Sequence, residues 1–476
     1  MLKRITLVGE QRKVLTLNHE GPIQIKGAAG SGKTTVAVYR ACHLMDTHAD
    51  MFEPSKVAIF TFGTTLSNYL STLTHSLNEN DYSSMKIINF HKWAFAFIRQ
   101  NGKNLYGKTL FDNQIQSILA PIIRSIPETT ENSRILSKSL DFFTDEISWL
   151  KGKLINSKDE YISTVRSGRG TKDRVTAKDR ETIWEVFTKY NQALLAQGKV
   201  DFDDYALLTL NIIKEKGNAF DPPFTHLVID EAQDLNKAQM AVLVKIVSKT
   251  TNSITIIADA AQRIYKSGFS WKEVGLNVAG GRTVEFKINY RNPQPIAKAA
   301  LSLLAKDNDS EEFTSVEVNT TEGDKPVIKK CNSLLEEYAF IAASIQKITR
   351  NAPDETICIL HRTNKGVDNV VRQLAGSNIE VVKVKANDSN GSAVKALTMQ
   401  GVKGLQFDHV IILDLNDDNL PIQSGFSEPD DELHLTTERR LLYTCMTRAM
   451  KSLLITYSGK PSRYIAEIDT SLIELQ

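Results

Sequence analysis

The octapeptide Gly27-Ala28-Ala29-Gly30-Ser31-Gly32-Lys33-Thr34 limits what this chain can fold into more than any other part of it. It fits G-x-x-x-x-G-K-[ST] and lies between the apolar run PIQIK and the helix-like TTVAVYRACHLM. In a strand, loop, helix setting the glycines let backbone N–H groups converge on phosphate oxygens, and the helix that follows turns its positive end toward the same point. Lys33 adds a point charge there, and Thr34 offers a hydroxyl to Mg²⁺. A glycine-rich turn that binds nothing is the alternative, and the flanking pattern disfavours it.

Such a loop belongs at the end of a strand in a parallel α/β sheet. GPIQIKG, KVAIFTF, FTHLVIDEAQD (224–234) and SITIIAD (253–259) supply strands for one sheet, the last two with the mainly apolar character of strands covered on both faces. Residues 91–200 read instead as helices, as in LDFFTDEISWLKGKL and RETIWEVFTKYNQALL, and predict an inserted helical subdomain. From residue 282 a second α/β pattern begins, with strands predicted at TICILHR (356–362), VKALTM (394–399), HVIILDL (409–415) and SLLITYS (452–458). A length of 476 residues accommodates three such units at roughly 100–200 residues each.

Charge and cysteine usage exclude several classes. No stretch approaches 18 uninterrupted apolar residues, so no membrane partner is expected. Cys42, Cys331, Cys358 and Cys445 are too scattered for a disulfide framework or a structural zinc, which fits a reduced, cytoplasmic setting. A net charge of +2 does not by itself announce nucleic acid. Locally, the 151–180 stretch sets nine Lys/Arg (Lys151, Lys153, Lys158, Arg166, Arg169, Lys172, Arg174, Lys178, Arg180) against four acids. It reads either as a phosphate-contacting surface or as a solvated face.

Leu227-Val228-Ile229-Asp230-Glu231-Ala232-Gln233-Asp234 places carboxylates at the end of an apolar strand, where burial is costly unless a cation or a proton shuttle uses them. Asp230 suits an Mg²⁺ contact, and Glu231 is the candidate to polarise a water attacking a γ-phosphate.

These motifs, and those that follow, resemble the superfamily 1 DNA helicases of the UvrD/Rep/PcrA type over roughly residues 5–460. The resemblance implies two RecA-like P-loop NTPase domains with parallel sheets and ATP between them: the first in 1–90 and 201–281, interrupted by the helical insertion 91–200, and the second in 282–476. It implies that Gln11 of LVGEQRKVL reads adenine, and that the loop 27–34 with Thr35 binds the phosphates. In ADAAQRIYKSGFSW, Gln262 is then the phosphate sensor and Tyr265 a base-stacking ring. The family's second aromatic is replaced here by Ser267, leaving Phe269 and Trp271 as candidate stacking rings or as core. Asn289-Tyr290-Arg291 is similar to the N-Y-R signature, with Tyr290 on adenine and Arg291 at the γ-phosphate. The segment from Glu438 to Ala449 resembles the last motif and makes Arg448 a second arginine finger. Phe62 and His91 stand where the family contacts DNA, although a buried strand-end Phe would look the same, and VDFDDYALL, with Asp201 and Asp204, marks the return from the insertion.

TMQGVKGLQFD (398–408) resembles T-x-H-x-x-K-G-L-E-F-D with two departures: Gln400 for a DNA-contacting His and Gln406 for a ribose-contacting Glu. Residues 365–397 alone separate the His361-Arg362-Thr363-Asn364 element from that motif, where full-size relatives insert a large helical subdomain. The resemblance therefore implies a compact ATP- and Mg²⁺-dependent single-stranded DNA translocase or helicase, with 3′-to-5′ polarity by analogy. Its partners would be single-stranded or tailed duplex DNA and a nuclease or other protein subunit. The alternative is a DNA-dependent ATPase switch or effector subunit of a larger complex, such as a bacterial anti-phage system; DNA repair is the other setting the resemblance implies.

Overall fold

The computed structural model describes residues 7–47, 55–61, 84–164, 175–262, 269–307, 316–318, 322–383, 394–422 and 432–476. Its first sheet contains β1 (Ile23–Gly27), β2 (Val57–Thr61), β3 (Lys86–Asn89), β4 (His226–Ile229), β5 (Ser253–Ala258) and β6 (Thr283–Phe286) in the order β3-β2-β4-β5-β1-β6. Every pairing is parallel. Alternate residues of each strand feed opposite cores, as the pleat requires. Ala58 and Phe60 pack with the helices Phe90–Gln100, Asp204–Lys216 and Lys237–Lys245, whereas Val57 and Ile59 pack with the helix Lys33–Thr47.

The short ladder β7 (Ile288–Asn289) and β8 (Glu317–Val318) leads into the second sheet. There β9 (Val327–Cys331), β10 (Ile357–His361), β11 (Val382–Lys383), β12 (Val394–Thr398), β13 (Phe407–Ile412), β14 (Ala449–Ser458) and β15 (Glu474–Leu475) run parallel in the order β11-β12-β10-β13-β14-β9-β15. Cys358 and Leu360 face one core and Ile357 and Ile359 the other. All four strands expected in this half are present. These are two RecA-like α/β domains.

Two boundaries differ from the sequence reading. Residues 283–286, just past the boundary read at 282, pair with the first sheet, in register with β1 (Gln24 with Thr283, Gly27 with Phe286). TVEF is a short edge strand whose burial alternates, and its flanks carry no strong signal. The insertion is also smaller than 91–200. Phe90–Gln100 packs on the first sheet through Trp93, Ala94 and Ile98, and the insertion's own core runs from Leu110 to Leu194.

That insertion is fastened to the first domain by a buried cation. Lys151 Nζ donates to Asp201 Oδ2 and to Asp204 Oδ1, each at 2.7 Å, and the Tyr190 hydroxyl donates to the same Asp201 oxygen at 3.0 Å. Burial opposes the charge on Lys151, but the two carboxylates outweigh it and raise its pKa. Lys151 therefore serves inside the protein and not on the basic face that 151–180 suggests. Of its other described members, Arg180 donates to the carbonyls of Tyr161, Ile162 and Thr164, while Lys158 and Lys178 pair with Glu181 and Glu131. Arg166, Arg169, Lys172 and Arg174 lie outside the described residues. No described helix is long and apolar enough to cross a membrane, and all four cysteines are buried and free.

Replacing Lys151 by Met strands two carboxylates in a dry site, so we expect a loss of about 3–5 kcal/mol of stability in urea unfolding. A loss under about 1 kcal/mol would mean that the insertion is held by apolar packing alone.

Candidate nucleotide site between the two domains

Phosphate-binding chemistry gathers where the first sheet's strands end. The loop Ala28–Gly32 leaves β1, Asp230 and Glu231 leave β4, Asp259 leaves β5, and Asn289 to Arg291 follow β6. This is the crevice at the carboxyl ends of parallel strands, where open α/β sheets bind ligands. Two glycines make the loop possible. Gly30 and Gly32 hold φ of +75° and +82°, and a Cβ on Gly30 would stand 2.1 Å from Asn289 Oδ1.

Lys33 Nζ donates to Gly27 O and Ala28 O at 2.8 Å each and to Asp259 Oδ2 at 3.0 Å. Asp259 Oδ2 also accepts from Gln262 Nε2 at 2.8 Å, and Gln262 Oε1 accepts from Arg448 Nη2 at 2.6 Å. A continuous polar chain thus links the loop lysine of the first domain to an arginine of the second. Asp259 was not among the residues singled out from sequence, although an acid closing the apolar run SITIIA carries the same signal as Asp230.

Glu231 leaves β4 in a left-handed conformation, φ 55°, a costly geometry for a residue with a Cβ. Its Oε2 accepts from Gln233 Nε2 and lies 3.8 Å from Lys403 Nζ. Burial would raise its pKa, but Lys403, Lys33 and Arg448 outweigh burial and hold the carboxyl ionised below its ordinary value. Asp230 is pushed the other way, up to about 7, by burial and by Glu231 beside it. Its Oδ1 accepts from Glu231 N at 3.0 Å, whereas its buried Oδ2, like Ser31 Oγ, has no hydrogen-bond partner among the described residues. The Thr34 hydroxyl works against that rise, favouring the ionised carboxyl of Asp230. A hydroxyl joined to a carboxylate with one oxygen unsatisfied is a donor set suited to a hard divalent cation.

The second domain closes over this loop. Tyr290 N donates to Gly30 O at 3.0 Å, and the Tyr290 ring remains 42% exposed. Arg291 Nε donates to Gln406 Oε1 at 3.2 Å and its Nη1 to Thr447 O at 3.2 Å. Asn292, unremarkable in sequence, donates to Thr447 O and Ala449 O and so ties the N-Y-R segment to the last motif. Lys403 reaches back to Asp234 Oδ2 at 2.5 Å and Gln262 O at 2.7 Å. Ala29 and Ala261 belong to the second domain's apolar core. Gln11 Nε2 donates to Ser31 O at 2.9 Å, which places it against the loop.

The predicted nucleic-acid residues are less uniform. Phe62 and Tyr265 fall outside the described residues. His91 sits among the rings of Phe90, Phe202 and Tyr205, and burial lowers its pKa to about 4, so it is a neutral ring at physiological pH. Phe269 and Trp271 pack edge to face at 5.4 Å against the first domain's core. Gln400 is half-buried in the turn after β12. Phe202, overlooked in the sequence, is 39% exposed and lies 5.5 Å edge-on from His91.

Residues 7–270 match the UvrD/REP helicase N-terminal domain, and residues 284–388 and 385–460 match the UvrD-like helicase C-terminal domain. A probable DNA helicase II homolog of Mycoplasma capricolum is 24% identical over 79% of this chain and 51% of its own. The ATP-dependent DNA helicases PcrA of Leuconostoc citreum and Staphylococcus aureus are each 25% identical, over 76% and 72% of this chain and 47% and 46% of theirs. The chain spans about half the length of these curated relatives.

Gly30→Ala tests the crowding of the loop. With a positive φ and Asn289 against the new methyl, nucleotide affinity should fall by about tenfold or more while the thermal transition stays cooperative. Wild-type affinity, measured with a fluorescent ADP analogue, would show that the loop and the N-Y-R segment separate freely.

Proposed function

The chain belongs to the UvrD/REP helicase family, and from that premise we propose that it is an ATP-dependent single-stranded DNA translocase or helicase moving 3′ to 5′. The observation that carries this reading is the polar chain Lys33, Asp259, Gln262, Arg448, because it divides one phosphate site between two domains. ATP would enter with its phosphates on the loop 27–34, taking Lys33 and the helix end that follows. Thr34 and Asp230 would hold Mg²⁺, whose positive charge would offset charge developing on the phosphates. Glu231, kept ionised by three cations, positions the attacking water. Arg448 and Arg291, both presented from the second domain's side, offer planar guanidinium groups to charge spreading over the γ-phosphate oxygens. Turnover then requires closure of the cleft and ties the ATP cycle to relative domain movement.

For the DNA track, Phe202 is an exposed ring braced by the neutral His91, and base stacking on such a ring is worth about 1–3 kcal/mol per base. The short passage from Asn364 to Thr398, a helix Asn364–Ala375 followed by β11 and β12, supports a motor without the second accessory subdomain. Separating a base-pair step costs about 0.6–2.2 kcal/mol, so grip on the duplex rather than driving energy limits such a motor.

ATP turnover with and without single-stranded DNA is the primary test. Glu231→Gln should bind ATP yet lose about 10²–10³ in rate, whereas Lys33→Ala loses binding as well. Wild-type turnover in Glu231→Gln would remove Glu231 from its role. Arg448→Lys should not rescue turnover, because an ammonium lacks the planar fork. The isolated chain should hydrolyse ATP on single strands but separate long tailed duplexes weakly; efficient unwinding by the monomer at limiting concentration would refute the compact-motor reading.

A further inference from the structure

Arg40 stands in the helix Lys33–Thr47, seven positions after the loop lysine, and is 1% exposed. Its Nη1 donates to Leu15 O at 2.8 Å and its Nη2 to Asn18 O at 3.4 Å, while Nε has no hydrogen-bond partner among the described residues. Burial alone pulls its pKa down to about 10, leaving it charged at neutral pH. A buried guanidinium spent on main-chain carbonyls is an expensive arrangement. What it secures is the last turn of the helix Glu10–Thr16, which ends at Leu17 without a glycine stop and whose terminal carbonyls need donors.

That short helix carries Gln11 on the same buried face as Val14. Gln11 Nε2 donates to Ser31 O, and its Oε1 accepts from Val8 N at 3.1 Å. A side-chain amide has two donors and two acceptor lone pairs, so one of each is left over by the described residues. This is the pair that matches adenine, whose N7 accepts and whose N6 amino group donates; guanine presents an acceptor at the corresponding exocyclic position. The match holds only if the helix keeps its depth and rotation. With seven residues the helix has little stability of its own. Arg40 fixes its far end to the helix that also begins at the phosphate loop, so the base-reading and phosphate-reading elements share one rigid support.

We infer that Arg40 is a positioning residue for base selection, holding the Gln11 helix at the depth that favours an adenine over a guanine nucleotide. The inference rests on the reading of Gln11 as the adenine contact. The test measures kcat and KM for ATP and GTP, with saturating single-stranded DNA, on the full chain and on Arg40→Met, Arg40→Lys, Gln11→Ala and the Arg40→Met/Gln11→Ala double variant. Arg40→Met should raise KM for ATP about tenfold, roughly one hydrogen bond, with kcat and the GTP constants moving far less, so that ATP preference declines. Arg40→Lys, whose ammonium can reach one carbonyl, should fall between, and it carries the test if Arg40→Met does not fold. The double variant should discriminate no worse than Gln11→Ala. A uniform fall in kcat with the ATP-to-GTP ratio of kcat/KM preserved in the Arg40 variants, while Gln11→Ala lowers that ratio, overturns the role of Arg40 alone. An unchanged ratio in Gln11→Ala overturns the adenine reading and this inference together.

Discussion

One carboxylate oxygen, Asp259 Oδ2, receives both the ammonium of Lys33 and the amide of Gln262, and the geometry of the interdomain site depends on it. Its second oxygen caps Ala261 N, and its own N–H is held by Gln233 Oε1. Both oxygens of this carboxylate are thus committed, to groups that follow β1 and β5, while the main-chain N–H reaches the segment after β4. In a site this dry an unmatched partner costs far more than a matched one contributes. The lysine, the glutamine and, through it, Arg448 are therefore set as a group. An anion that draws Lys33 away from Asp259 would alter the surroundings of Gln262 and so be felt by an arginine on the other domain, a route for coupling that needs no large rearrangement.

The helical insertion follows a different logic. Its core of Leu119, Phe142, Phe143, Tyr161, Ile183 and Val186 is self-contained, and its longest helix, Ala177–Gln197, is capped by Thr176 and Asp179 at one end and Gly198 at the other. It meets the first domain through Lys151 and the carboxylates of Asp201 and Asp204, polar groups whose strength depends on geometry. Apolar packing shapes the module, and a charged joint orients it.

Much of this was legible in the amino-acid order. The loop 27–34 and the DEAQD run announce themselves because phosphate chemistry tolerates few solutions, and the buried parallel strands do so because both faces demand apolar residues. β6 escaped because a four-residue edge strand with a half-buried Thr283 and an exposed Glu285 resembles a turn. Lys151 was counted with a basic surface because a lysine's letter does not tell whether its partner lies 50 residues downstream. Asp259, Lys403 and Asn292 act through contacts between distant segments, and periodicity carries no trace of them. Phe202 was hidden by the acids around it.

Ala29 of the phosphate loop and Ala261 of the segment after β5 lie in the same apolar core as Leu441, Leu442, Met446 and Val402 of the second domain. Any excursion that parts the domains at this seam wets methyl groups that are dry when they meet. Wetting apolar surface raises heat capacity, so the balance between joined and parted forms must curve with temperature instead of following a straight van't Hoff line. The loop 27–34, which the sequence marks as a cradle for charge, is also one lip of an apolar seam whose hold is thermal in character.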